Sequence, residues 1–367
     1  MKQKYSAIMA SSLTKVISIA VVVIMILNIV IPDHKQSETE NRPLQTFPAW
    51  NVEHVLSGQY GKDLNTWFSD QFVFRDTWLR IKSMEEMLLG KTENNGVYIG
   101  KDGYLFEKIK YTQASEEKIK ALGEKINNFR KDTNITTYFM LVPNSIYINQ
   151  DKLPKFAETF EQKEVIKNAY SMTSDINVIN TVDTLMQNKD KYIFFKTDHH
   201  ITSDGAYLLY LEFCKEANIT PVTDYTKEEV TTSFLGSFDS KAQAANQKED
   251  TIVVYKNSNN TEGITATYDK ETTNSIFNEE FLNKKDKYSY FLNGNNAKVV
   301  VKTKQTNGKK LLVVKDSYSH IMAQFLCQNF EEIHFIDPRY YTDSIEEYAK
   351  ENNITDAMFL YNVANII

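Results

Sequence analysis

Six histidines occur in the chain, at positions 34, 54, 199, 200, 320 and 334, so few groups can act as a general base near neutral pH. The densest cluster is Thr197-Asp198-His199-His200-Ile201-Thr202. In an extended segment side chains alternate, which puts Asp198 and His200 on one side and turns His199 away. A carboxylate beside an imidazole fixes its tautomer and stabilises the imidazolium, the orienting half of a nucleophilic triad. The same residues also suit a helix start capped by Ser203 and Asp204, or a metal-binding pair, and spacing alone leaves these readings open.

A nucleophile is suggested by the segment from Lys309 to His320, in which Leu311 to Val314 is apolar and Lys315-Asp316-Ser317-Tyr318 follows. An apolar strand running into a helical pattern places Ser317 at a strand-to-helix turn on the carboxyl edge of a sheet, where α/β proteins build their sites. Backbone amides near Ser317 and Tyr318 are then placed to bind an oxyanion. The plainer alternative is a serine N-cap. His320, three residues on, shares a helix face with Ser317 and competes with His200 as the base. It ranks second, because no acid is placed to orient it and a helix N-terminus disfavours its charged form.

The surrounding pattern is that of an α/β domain. Apolar, β-rich runs at Thr136–Val142, Leu311–Val314, Ile333–Ile336 and Ala357–Leu360 predict buried strands. Helical spacing over Ser115–Lys131, Ala206–Glu216, Tyr318–Asn329 and Ser344–Glu351 predicts the helices between them, hence a mainly parallel sheet covered on both faces. Glycines interrupt the alternation of Gly96 to Phe106, which suggests a hairpin. From about 234 to 306, short β-rich pieces among asparagine-rich turns predict a β-rich insertion.

At the N-terminus, Val16 to Ile31 is free of charge and is extended upstream by Ala7 to Thr14, enough to span a bilayer. Lys2, Lys4 and Lys15 precede or enter the run, whereas Asp33, Lys35, Glu38, Glu40 and Arg42 follow with a small acidic excess. The positive-inside rule therefore puts the tail in the cytoplasm and the remainder outside. Ile29-Val30-Ile31-Pro32 lacks the small residues that signal cleavage prefers, so an uncleaved anchor is expected over a signal peptide. The resulting organisation is a tail and anchor over 1–31, a stalk with packing helices over 32–90, and the α/β domain over 91–367.

Over 367 residues, 42% hydrophobic content can fill a sizeable core, and a net charge of -6 without a basic block gives no reason to expect nucleic acid. Cys214 and Cys327 lie far apart without CxxC spacing and read as buried hydrophobes, not as a zinc site or disulfide framework.

Taken together, Asp198-His199-His200 with Gly205-Ala206-Tyr207, and Lys315-Asp316-Ser317-Tyr318-Ser319 downstream, resemble the DHHW proteins and the related alginate O-acetyltransferase accessory proteins, both in the SGNH-hydrolase-like group. Glu40 to Leu44, Phe72 to Arg75, Gly100 to Phe106, Val142-Pro143, Leu235-Gly236-Ser237 and Ile336 to Arg339 extend the likeness over nearly all of the chain after the apolar run. The resemblance implies an SGNH-hydrolase-like fold in which Asp198, His200 and Ser317 form the catalytic triad. Two departures are Ile201, where the motif has tryptophan, and Lys315, where classical members have glycine; the first bears on the pocket floor, the second on close backbone approach. Tyr318, Arg339 and Asn362 are substrate-binding candidates, Arg339 for an anionic group and Asn362 for an oxyanion, the plainer readings being an ion pair with a nearby acid for Arg339 and a loop cap for Asn362. The implied activity is O-acetyl transfer to a cell-surface polysaccharide through an acyl-serine, with a membrane-bound O-acyltransferase as partner and no metal or organic cofactor. A carbohydrate esterase and a noncatalytic polysaccharide-binding or assembly protein are the alternatives.

Overall fold

The computed structural model describes residues 2–37, 39–40, 42–245, 247–269 and 271–367. Glu38 of the expected stalk and Asn41 of the Glu40 to Leu44 segment lie outside the described residues. Two compact units divide the chain between Gly90 and Lys91.

In the first unit the helix Lys2–Val30 contains a window, Ser12–Val30, long and apolar enough to cross a membrane, and none of that window is buried. Three helices follow, Val52–Leu56, Gln59–Gln71 and Arg75–Leu88. Asp70 ties the connecting segment to them: Arg42 donates to both its carboxylate oxygens at 2.6 and 3.0 Å, and the Gln45 amide adds a third bond at 2.9 Å. Those hydrogen bonds from Arg42 hold the Asp70 carboxyl below its ordinary range.

An eight-stranded sheet carries the second unit. Its strands in chain order are β1 (Thr136–Val142), β2 (Asn177–Val178), β3 (Thr265–Thr267), β4 (Thr272–Thr273), β5 (Lys298–Lys302), β6 (Lys310–Lys315), β7 (Glu332–Ile336) and β8 (Asp356–Asn362). Across the sheet the order is β4-β3-β5-β7-β6-β8-β1-β2. The five strands from β7 to β2 run parallel, and β5, β3 and β4 extend one edge antiparallel. Adjacent residues of β1 show that both faces are covered. Tyr138 packs edge-on to Phe213 of the helix Ser203–Glu216, while Phe139 meets Tyr170 of the helix Gln162–Ser171. Such strands lack alternation because neither face meets water. The protein is therefore α/β, with a mainly parallel sheet flanked by helices.

The apolar strands match their expected runs closely, since β6 and β8 are buried nearly end to end. Two segments differ from expectation. Thr226–Phe234 pairs antiparallel with Asp250–Lys256 as a separate ribbon, although its own residues are mostly exposed and polar. The helix expected over Tyr318–Asn329 is instead a 3-10 turn, Ser317–Met322, followed by one short helix, Ala323–Leu326. Every residue from Tyr318 to Leu326 is buried, so no polar face remains to make an amphipathic helix there.

Candidate active site

Strand order puts β6 and β8 side by side, and the turn carrying Ser317 leaves the carboxyl end of β6. Asp316 shapes that turn. Its Oδ1 accepts from the Tyr318 amide at 2.9 Å, and its Oδ2 accepts from the Asn362 amide and Asn365 Nδ2, each at 2.7 Å. Burial pushes the Asp316 carboxyl up despite these bonds. The Tyr318 amide, expected to face an oxyanion, is thus committed to Asp316. The Ser317 amide has no acceptor among the described residues.

The second arm lies between the helix Ser203–Glu216 and an apolar run ending at Phe195. Asp250 accepts from the Lys196 and Thr197 amides at 2.9 and 2.8 Å and from Thr197 Oγ1 at 2.6 Å, which bends the chain sharply. Extended alternation is therefore not what brings Asp198 and His200 together. Asp198 Oδ1 accepts from the His200 amide at 3.0 Å, a local side-chain turn, and His199 does not point away: its ring centroid lies 3.7 Å from that of His200. Asp198 Oδ2 accepts from the Ser237 amide at 2.8 Å. This approach requires glycine at 236, because a Cβ there would stand 2.2 Å from the Asp198 Cβ.

The two arms meet in a continuous relay. His200 Nδ1 lies 2.6 Å from Asp198 Oδ1, and His200 Nε2 lies 2.8 Å from Ser317 Oγ. A carboxylate only accepts, so Nδ1 carries the proton and Nε2 is free to accept from the serine hydroxyl. Burial opposes charge on Asp198, yet the adjacent His199 and His200 and the hydrogen bonds from His200 and the Ser237 amide hold its carboxyl well below the usual range. Burial, reinforced by His199, lowers His200 to about 4 against the pull of Asp198, which leaves a neutral imidazole at pH 7. Asp198, His199 and His200 also lie close enough to share a metal ion. In this structure, however, both His200 ring nitrogens have partners, and His199 Nδ1 meets Ser237 Oγ at 2.8 Å.

The model of the DHHW protein family matches residues 91–336. This chain belongs to the DHHW family. A DHHW family protein from Eubacterium siraeum has the same fold at 24% identity, with 75% of this chain and 93% of that one covered and a TM-score of 0.66. Bacillus cereus PatB1 with a sulfonyl adduct aligns at 21% identity over 74% and 95% of the two chains, TM-score 0.62. PatB1 without the adduct gives 22%, 72% and 95%, and 0.61. No curated protein sequence matches the chain.

Several expected site residues of this DHHW protein lie elsewhere than the sequence suggested. Tyr318 is fully buried, its hydroxyl donates to the His199 carbonyl, and it supports the histidines from below instead of facing a substrate. Asn362 caps the helix Val363–Ile366 through a 2.9 Å bond from the Ala364 amide, and its Oδ1 also accepts from Asn144 Nδ2, so it serves the loop and not an oxyanion. Arg339 chelates Asp337 with bonds of 2.8 and 2.6 Å. It also lines a cavity of about 570 Å³ whose walls include neither Ser317 nor His200. Ile201 forms no pocket floor: it is wholly buried against Gly205, in a bridge with Phe194.

The His320 ring makes no hydrogen bond to Ser317 among the described residues. Its Nε2 faces Lys315 Nζ at 2.8 Å, and Lys315 in turn reaches Asp337 at 3.3 Å. An ammonium only donates, so His320 accepts there and its Nδ1, without a partner among the described residues, carries the proton. Burial and then Lys315 drive its pKa well below the ordinary histidine value. Lys315 thus forms a buried strut under the turn.

Sequence reasoning missed Tyr288. Its ring stacks on His200 at 3.5 Å between centroids and 8° between planes, and its hydroxyl donates to the Ser317 carbonyl at 3.1 Å. No motif marks it, since it stands in a 3-10 turn, Lys287–Tyr290, within the insertion. Leu235-Gly236-Ser237 was a visible signal for the Asp198 cradle, but nothing in the spacing tied it to that carboxylate.

Proposed function

We propose that this DHHW protein is an O-acyltransferase that carries an acetyl group on Ser317 and passes it to a hydroxyl of a cell-surface polysaccharide. The observation that carries the reading is the unbroken series Asp198, His200, Ser317, with links of 2.6 and 2.8 Å. His200 takes the Ser317 proton as Oγ bonds to the acyl carbon, and returns it to the departing group as that group's bond to carbon breaks. Asp198 holds the imidazole in the required tautomer, and the Ser317 amide, without an acceptor among the described residues, is available to the developing oxyanion. In the second half, a sugar hydroxyl gives its proton to His200 as its oxygen bonds to the acyl carbon, the bond from that carbon to Ser317 Oγ breaks, and His200 returns the proton to Oγ.

The apolar N-terminal helix supports an uncleaved anchor, N-terminus in the cytoplasm and second unit outside the cell. Acetyl-CoA is cytoplasmic, so a membrane-bound O-acyltransferase would pass the group across to Ser317. The chemistry calls for no metal or organic cofactor.

The test presents the full chain, in detergent or vesicles, with an activated acetyl ester, with and without an acceptor oligosaccharide, beside Ser317→Ala. Acetyl transfer that vanishes in the variant is the expected result. Release of acetate with no transfer to any acceptor would make the protein an esterase. Turnover untouched by the substitution would overturn the triad, and absence of turnover in the native chain would favour a polysaccharide-binding or assembly role. Because PatB1 is recorded with a sulfonyl adduct, a sulfonyl fluoride provides a second readout: Ser317 Oγ displaces fluoride, His200 takes the proton, and the added mass maps to Ser317.

A further inference from the structure

The helix Arg75–Leu88 leaves one face without a partner in its unit. Phe74 at its start, then Trp78, Ile81, Met84, Leu88 and Leu89, are between 43% and 83% exposed. Steps of three and four residues put them along one side, whereas Leu79, Ser83 and Met87 turn to the other and are partly or fully buried. Arg75, Arg80, Lys82 and Glu86 flank the stripe, and the exposed Glu85 stands within it, one turn after Ile81.

Hydrogen bonds within the first unit set where this helix begins. Asn28, in the last turns of the apolar membrane-length helix, accepts from the Val73 amide through Oδ1 at 3.0 Å. Just beyond that helix, His34 exchanges two 2.9 Å bonds with the Gln71 side chain, and Asp33 accepts from Trp67 Nε1 at 2.8 Å. The loop before Arg75 is therefore held at the level of the apolar helix's end. If that helix spans a bilayer, the stripe starts where headgroups meet acyl chains, and there aromatic and aliphatic side chains with flanking cations are stable.

We infer that Arg75–Leu88 is an interfacial helix whose Trp78, Ile81, Met84 and Leu88 face enters the lipid surface, giving the anchor a second, in-plane membrane contact. This rests on the anchor reading proposed above. The occupant is lipid and not a protein, because the stripe continues from the apolar helix through the Asn28 and Val73 bond.

The experiment uses the full chain in phosphatidylcholine and phosphatidylglycerol vesicles containing brominated phosphatidylcholine, which quenches tryptophan only within the bilayer. The chain has three tryptophans, so Trp78→Phe isolates the contribution of residue 78. For a ring about 5–10 Å into the interface, the quenchable part of the emission should fall roughly twofold or more in that variant. Ile81→Glu with Leu88→Glu should cut the native chain's quenching similarly while circular dichroism stays unchanged. Quenching equal in the native chain and Trp78→Phe overturns the inference, whether residue 78 is open to aqueous iodide or, shielded from both quenchers, is covered by a protein or a second copy. Alkaline carbonate extraction separates the two readings. Release of the chain from vesicles defeats the anchor and this inference together; retention without Trp78 quenching defeats the inference alone.

Discussion

Two buried histidines flank the Ser317 turn, and their surroundings are opposite in sign. His200 sits between a carboxylate and a hydroxyl, whereas His320 faces a lysine ammonium on one ring nitrogen and, among the described residues, has no partner on the other. Burial lowers the pKa of both, so both are neutral near pH 7. The difference lies in what each can do with a proton. His200 can take one, because Asp198 stabilises the imidazolium; His320 cannot, because Lys315 repels it. Basicity here is a property of the partner, not of the residue type.

The strongest way to break this comparison is to remove the nucleophile. Ser317→Ala should lower kcat/KM for an activated acetyl ester by about 10³-fold or more, together with loss of sulfonyl labelling. Asp198→Asn removes the charge while keeping the shape, and a loss on the order of 10²- to 10⁴-fold is expected; His320→Asn should stay within about tenfold in the same assay. Equal losses from Asp198→Asn and His320→Asn would erase the distinction.

A pH profile sharpens it. His200 works when neutral, and neutrality is lost only as pH falls through its pKa, lowered to about 4 chiefly by burial. Rates should therefore hold from pH 7 down to 5 and fall near 4. A midpoint near the ordinary histidine value of about 6.5 would mean that Asp198 outweighs burial.

On the His320 side the expected effect is on stability. Lys315→Met leaves Asp337 buried with only Arg339 as its ionic partner, and denaturant midpoints should report a loss of about 2 to 4 kcal/mol. The smallest change expected is Tyr288→Phe, which keeps the ring on His200 but removes the hydroxyl bond to the Ser317 carbonyl. A few-fold loss in kcat, about 1 kcal/mol, should follow, and Tyr288→Leu should exceed it by freeing the imidazole.

Much of this protein was legible along the chain. The runs that became β1, β6, β7 and β8 are mostly apolar without alternation because both faces of the sheet are buried. Asp198, His200 and Ser317 stood out by type and position, and family likeness joined them. The polar ribbon strand Thr226–Phe234 was invisible, since an exposed strand carries no hydrophobic period. The Tyr318 and Asn362 side chains lie elsewhere than expected for a shared reason. Both were placed by nearness in sequence to a strand end, but backbone direction sent one beneath the histidines and the other into a helix cap.

Sequence alone thus determined the core strands and the chemistry available, because apolar runs and side-chain identity are local properties. Only the tertiary structure decided which groups meet. Residues 200 and 317 lie 117 positions apart, and their 2.8 Å contact exists because Asp250 and Gly236 shape one arm while Asp316 shapes the other. Tyr288 reached His200, and Lys315 claimed His320, through packing that no spacing rule records.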